Sequence, residues 1–327
     1  MQENVEHFIS DLYLSAARIA PESYRLWGLE QLQRMVKFDA AFWGTGRLHS
    51  RLPNYIEHMG LDDQYSERLA KTLDINPIKD AVLSRLGKPV LMSEVYEDDK
   101  FYQSPLYEQL FQPYGIKRVL ASGHFDNRSG LYTLLSLYRH NRDDDFTEEE
   151  KDLIARLIFH LVAAASYSFF LHLERTGSLA KAKEPDENMP MAWAICDAEG
   201  YYHEVQARFL DFVEQYFPDA ARQRLPFWSE GLKGQEKDVI NGLAVTLERH
   251  QKLYLVGIRP ASVIDQLTDR EREVVSWITQ GLTYKEVARK IGLAPSTVSN
   301  HLYRVYNKLG ISSKTELVQL KAQFMDA

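Results

Sequence analysis

The stretch LTDREREVVSWITQGLTYKEVARKIGLAPSTVSNHLYRVYNKLGISSKTELVQL, residues 267–320, decides how the chain is read. It predicts four short helices with their ends marked. Thr268 with Glu271, Thr283 with Glu286 and Ser313 with Glu316 have capping-box spacing: a hydroxyl and a carboxylate three residues on satisfy orphaned backbone N–H groups reciprocally. Gly281, Gly292 and Gly310 stand where helices should end, in positions that favour a left-handed backbone. Pro295 suits a first helical turn, where its missing N–H costs nothing. Residues 292–294 alone separate the second helix from the third, the connection of a helix-turn-helix.

The third helix can be tested as a groove reader. At about 100° per residue, Val298, Leu302, Val305 and Leu309 form a core stripe. The opposite face carries Ser296, Asn300, Tyr303 and Asn307, flanked by Ser299 and Arg304. Amide, hydroxyl and guanidinium groups match the donors and acceptors of base edges in the major groove. A merely solvated face would also be polar; the complete frame of caps and breaks around it favours the groove.

Residues 267–320 resemble the C-terminal DNA-binding domain of LuxR-type transcription factors. The resemblance is carried by Leu267-Thr268, Arg270-Glu271, Gly281, Lys285-Glu286-Val287-Ala288, Thr297-Val298, His301, Lys308-Leu309-Gly310 and Thr315-Glu316-Leu317. It covers about a sixth of the chain and implies DNA contacts at Ser299, Asn300 and Tyr303. With the exposed face, the candidate DNA-binding set becomes Lys285, Ser296, Thr297, Ser299, Asn300, Tyr303, Arg304, Asn307 and Lys308. The family usually has Lys where Ser299 stands, and Ser or Thr at the cap where Ala294 stands. A lost cap costs about 1 kcal/mol.

Length and charge point to a larger body behind this reader. The 327 residues suffice for two or three domains. Net charge is −7, yet from Leu267 onward nine Lys and Arg face six acids, so this segment is +3 and the rest −10. An acidic body weakens non-specific attraction to phosphates, so affinity must come from dimerisation and base contacts. Cys196, the single cysteine, excludes an internal disulfide and reads as a small core residue. There is no G-x-S-x-G elbow, phosphate-binding glycine loop, H-E-x-x-H or zinc spacing, so no enzyme, metal or cofactor is expected. The acidic, polar start MQENVEHFISD is no secretory signal, and a cytoplasmic protein is expected. Residues 153–173 are long and apolar enough to suggest a membrane span, but Arg156, His160 and His172 interrupt them. They read instead as a long helix packed on a sensor, with Leu157, Leu161 and Ala164 as the seam of a homodimer.

Before the reader, the pattern predicts an α/β sensor, an antiparallel sheet with flanking helices. Helices are expected over 5–36, strands at 39–48 and 55–61, helices at 63–73 and 77–86, and an extended piece at 90–96. Residues 118–126 and 131–140 flank Asn127-Arg128-Ser129-Gly130, a hairpin signal. This order, with the block DFTEEEKDLIARLIFHLVAAA, is similar to GAF-like sensing domains of LuxR-type regulators over about residues 5–174. The lactone receptors of that family place a Trp and a Tyr four residues apart and an Asp-Pro pair later. Here Tyr65 and Asn76-Pro77 stand with no nearby Trp, so the lactone is not carried over. Six aromatics between Tyr96 and Tyr114 predict a pocket lid over the sheet, although each taken singly also reads as core. Trp43, His58, Tyr102, Tyr107, Phe111 and His124 are the ligand-binding candidates, Trp43 and Tyr102 as walls and the histidines as polar contacts.

The chain thus divides into a GAF-like sensor at 1–176, a polar linker at 177–188, a PAS-like domain at 189–262 and an all-α helix-turn-helix domain at 263–327. In the third part, strands at 192–196 and 201–205, a helix at 209–217, a mixed stretch at 236–245 and a strand at 252–259 are expected. Two functions remain open. One is a one-component regulator controlled by a small molecule in its sensor. The other is a regulator whose sensor-like domain binds a protein and no ligand. Expected partners are double-stranded DNA, a second copy of the chain and a small molecule, without a membrane.

Overall fold

The computed structural model describes residues 2–47, 53–175, 191–220, 223–228, 237–250 and 253–325. The predicted linker, 177–188, lies outside them. Contacts divide the chain into two compact units: one holds residues up to 175 and Tyr201–Val205, the other most of a second sheet and the C-terminal helices.

The first unit opens with helices α1 (Gln2–Ala16) and α2 (Pro21–Gln33). Strands β1 (Ala40–Arg47) and β2 (Tyr55–Met59) follow, then helices α3 (Gln64–Thr72) and α4 (Pro77–Ser84). Asn76 caps α4, its side chain accepting the Ile78 N–H at 3.2 Å. Strand β3 is only Val90–Leu91; helix α5 (Met92–Val95) begins at once and buries Met92, so the extended piece expected at 90–96 is mostly not extended. After α6 (Asp98–Tyr102) and a π-turn at Tyr107–Phe111 come β4 (Arg118–Phe125) and β5 (Leu131–Arg139). Their hairpin closes through Gly130, at φ 73°. Helix α7 (Glu148–Arg175) starts at a reciprocal cap between Thr147 and Glu150.

The sheet order is β2-β1-β5-β4-β3, with antiparallel pairings throughout. Strand alternation sends successive side chains to opposite faces. Ala41, Trp43, Leu120, Leu135 and Leu137 enter a core with α1, α2 and α7, while Phe42, Val119, Ala121 and Tyr138 enter a second core with α3 and α4. The first unit is therefore the expected α/β sandwich. The dimer seam expected on α7 requires correction. Leu157, Leu161 and Ala164 are at most 1% exposed and belong to the chain's own first core. Within α7, Glu148–His172 is long and apolar enough to cross a membrane by composition alone; this inward stripe accounts for much of that apolar character.

The second sheet is built from β6 (Ala192–Cys196), β7 (Tyr202–Val205), β8 (Lys237–Ile240), β9 (Leu243–His250) and β10 (Leu253–Pro260), with helix α8 (Ala207–Tyr216) between β7 and β8. Its order, β7-β6-β10-β9-β8, repeats the 2-1-5-4-3 arrangement of the first sheet. The stretch read as mixed is the β8–β9 hairpin, turned by Asn241 and Gly242 at φ 50° and 85°. Cys196 is buried. A 3-10 turn, Val263–Gln266, leads into helices α9 (Asp269–Thr279), α10 (Tyr284–Ile291), α11 (Pro295–Leu309) and α12 (Lys314–Met325).

Candidate functional site

The C-terminal helices are set by their ends. Thr268 accepts the Glu271 N–H, and Glu271 accepts the Thr268 N–H at 2.8 Å. Thr283 and Glu286 repeat the exchange, again with 2.8 Å for the returning bond. The third cap is a variant: Ser313 accepts the Glu316 N–H, but the Glu316 carboxylate takes the N–H of Ser312 at 2.9 Å. Gly292 and Gly310 end α10 and α11 at φ 65° and 66°. The Leu293 N–H then bonds the Ala288 carbonyl at 2.9 Å, which closes the turn into α11. Ala294 caps α11 with no side-chain hydrogen bond, and Pro295 opens its first turn.

This frame fixes which face of α11 is free. Val298, Leu302 and Val305 are buried against Val274, Ile278 and Val287. Ser296, Ser299, Asn300, Tyr303, Arg304 and Asn307 are exposed, Tyr303 at 67%. Thr297 is half-buried, and Lys285 is exposed on α10. The side chains of Asn300, Tyr303 and Arg304 make no hydrogen bond to another described residue, so their polar groups are available to a partner. Lys308 differs. Its ammonium bonds the buried Glu271 carboxylate at 2.6 Å and the Gln266 carbonyl at 3.2 Å, so it is part of the frame.

The first unit contains a cavity of about 480 Å³ between the second face of its sheet and α3–α4. Phe42, Leu134 and Tyr138 form the sheet side, Tyr65 and Val82 the helix side, and Phe111 of the π-turn also lines it. Within the wall the Tyr65 hydroxyl donates to the Tyr138 oxygen at 2.6 Å.

Of the ligand candidates, Phe111 lines this cavity. Alternation puts Trp43 on the other face of β1, under the guanidinium of Arg25, and puts His124 on that same face of the sheet, its ring 5.7 Å from Phe159 of α7. His58 shares a 2.8 Å hydrogen bond with Ser66 that pins β2 to α3, and burial pulls its imidazole below the usual value. Tyr102 and Tyr107 pack edge to face at 5.0 Å, and the Tyr102 hydroxyl donates to the Lys117 carbonyl. The aromatic segment satisfies itself around Phe101 instead of forming a lid. Tyr132, Ser136 and Tyr138 were missed as cavity residues, although their parity with Leu134 on β5 marks them as one face.

Comparison with known proteins agrees with the C-terminal geometry. Residues 265–321 match the family model "Bacterial regulatory proteins, luxR family" and are a LuxR-type helix-turn-helix domain. A protein of Mycobacterium bovis named as an HTH-type transcriptional regulator is 42% identical over 65 residues, 20% of this chain and 7% of the relative. The transcriptional regulatory protein UhpA of Escherichia coli is 44% identical over 55 residues, 17% of this chain and 28% of that protein. The chain thus spans a small part of the relatives it matches. Among solved structures, Escherichia coli SdiA covers 97% of this chain and 96% of its own at 14% identity, with a TM-score of 0.38. The N-acylhomoserine lactone dependent LuxR family factor CepR2 of Burkholderia cenocepacia covers 52% of this chain and 98% of its own at 18% identity, with a TM-score of 0.38.

Proposed function

We propose that the chain is a one-component transcriptional regulator: a homodimer in the cytoplasm that reads a two-fold DNA site with α11 and is controlled by a small molecule in the sensor cavity. The observation that carries this reading is the exposed, hydrogen-bonding face of α11 on a frame whose neighbouring helices are capped by Thr268, Thr283 and Ser313. Each chain offers one such helix, and a pair of them spans two half-sites about one helical turn apart. The reader's mild positive charge, +3 from Leu267 onward against −10 before it, makes base contacts and pairing the main sources of affinity.

The cavity supports the sensing half. Its volume falls in the range of small-molecule sites, and its wall joins apolar and aromatic side chains to a few hydroxyls and the charged groups of Arg47, Asp74, Lys79 and Asp80. A ligand there shifts the protein between arrangements by no more than its differential affinity for them. The test is a reporter driven by a DNA site selected with the full chain. Filling the cavity with Val82→Trp should abolish the response to the inducing extract while DNA binding persists. A response identical to the parent's would remove the cavity from control and favour a protein partner.

A further inference from the structure

We infer that the sensor cavity takes an uncharged aromatic molecule whose hydrogen-bond acceptor meets the phenol of Tyr132. The inference rests on the reading of this cavity as the ligand site. It starts from one hydroxyl. The Tyr132 ring projects from β5 into the cavity wall, and its hydroxyl lies 2.7 Å from where a Cβ on Gly123 of β4 would stand. Glycine at 123 is what lets the phenol lie across the sheet. The hydroxyl has no hydrogen-bond partner among the described residues. Burial holds it well above the ordinary tyrosine value, so it keeps its proton and is a donor. A phenol that lines the cavity without a protein partner is left to solvent, and a ligand acceptor can take its hydrogen bond.

The other hydroxyls of the wall are already engaged. Tyr65 donates to Tyr138, and Tyr138 is also bonded to Ser136. Tyr132 therefore sets the ligand's polar end. The formal charges along the lining are Arg47 and Lys79 against Asp74 and Asp80, which balance, and both acids are exposed to solvent. A charged ligand group placed among the buried rings would lose hydration, and the lining as a whole offers no net charge to offset that loss.

The rings favour an aromatic body over a flexible chain. Phe42 lies 5.9 Å from Tyr65, and Tyr65 lies 5.7 Å from Tyr138, tilted by 48° and 55°. Phe111 meets Tyr138 at 6.3 Å and 57°. Such a tilted cluster offers both faces and edges, and another aromatic ring gains edge-to-face contact beyond its area of burial. A saturated chain gains the area alone.

The experiment measures binding of four probes to the full chain by calorimetry and thermal shift. Coumarin is flat and neutral with a carbonyl acceptor. Naphthalene lacks the acceptor, coumarin-3-carboxylate adds a charge, and N-octanoyl homoserine lactone is a flexible acylated amide. Coumarin is expected to bind tightest, the other three about tenfold or more weakly. Tyr132→Phe should weaken coumarin about five- to tenfold and leave naphthalene unchanged, as loss of one neutral hydrogen bond predicts. The variant removes only a hydroxyl that lacks a protein partner, and an unchanged melting temperature without probe confirms that it folds. Tighter binding of the acyl lactone or the carboxylate, or coumarin binding indifferent to Tyr132→Phe, overturns the ligand class while the cavity remains a ligand site. If no probe binds and Val82→Trp leaves induction intact, the ligand-site reading falls with it.

Discussion

The guanidinium of Arg259 closes on the carboxylate of Asp265 through two parallel hydrogen bonds of 2.6 and 2.7 Å, and both side chains are at most 10% exposed. Asp265 also accepts the backbone N–H and the hydroxyl of Ser262, at 2.6 and 3.0 Å. Its carbonyl accepts from Arg272 of α9, and the next carbonyl, Gln266, accepts from Lys308 of α11. The end of β10, the 3-10 turn and the reader helices are thus joined by one run of hydrogen bonds. Bidentate Arg–carboxylate geometry adds direction as well as energy. Arg259→Ala leaves a buried carboxylate without its cation and should cost about 3 kcal/mol, read as a lower denaturant midpoint. An unchanged midpoint would show that the clasp contributes nothing to stability.

The same clasp predicts a pH dependence. Burial alone would raise the Asp265 carboxyl, but Arg259 and Ser262 together outweigh it and hold the group below its usual range. A carboxylate with a depressed folded value contributes stability that is complete above its unfolded value, near 3.9, and is lost as pH falls through the folded value. The melting-temperature gap between the parent and Asp265→Asn should be flat above about pH 5 and shrink below about pH 4. A gap that widens with acid would reverse the sign and refute the account of Asp265.

Lys308, a DNA-contact candidate, also bonds Glu271 and the Gln266 carbonyl within the helical frame. Removing it leaves Glu271, whose side chain is 4% exposed, buried without its cation. Lys308→Ala should therefore destabilise the reader by about 2–4 kcal/mol. The salt slope of DNA binding should change little. A slope reduced by about one unit with a normal melting temperature would return Lys308 to the DNA-contact set.

The proposed homodimer should use the outer face of α7. Phe159 and Tyr167 are 55% and 49% exposed and lie two helical turns apart, while Leu161 points into the core. Phe159→Glu with Tyr167→Glu should give a folded monomer by light scattering. Leu161→Glu should lose the fold. A double variant that remains a dimer would move the interface elsewhere.

How much of this was legible in the sequence differs by region. The reader was legible because its signals are local: the hydroxyl–carboxylate pairs and the glycines act within one turn of the residues they cap. The two sheets were legible as strands, and Asn241-Gly242 is a strong local turn signal for the β8–β9 hairpin. The cavity was not legible, since its wall joins β1, β4 and β5 to α3 and α4 across long separations. Trp43 looked like a wall because it is aromatic and on a strand; only the parity of β1 decides that Phe42 faces the cavity and Trp43 does not. Likewise α7 looked like a dimer helix because the core it fills, with α1 and α2, is distant in sequence.

The most direct test is selection of DNA from a random library with the full chain and with Asn300→Ala. The exposed amide of Asn300 can pair bidentately with adenine. The parent should enrich a two-fold symmetric motif, and the variant should lose preference at one position in each half-site, with affinity for the parent's motif lower by about 1–3 kcal/mol. Failure to enrich any motif, or an identical motif from both proteins, would contradict α11 as the reading helix.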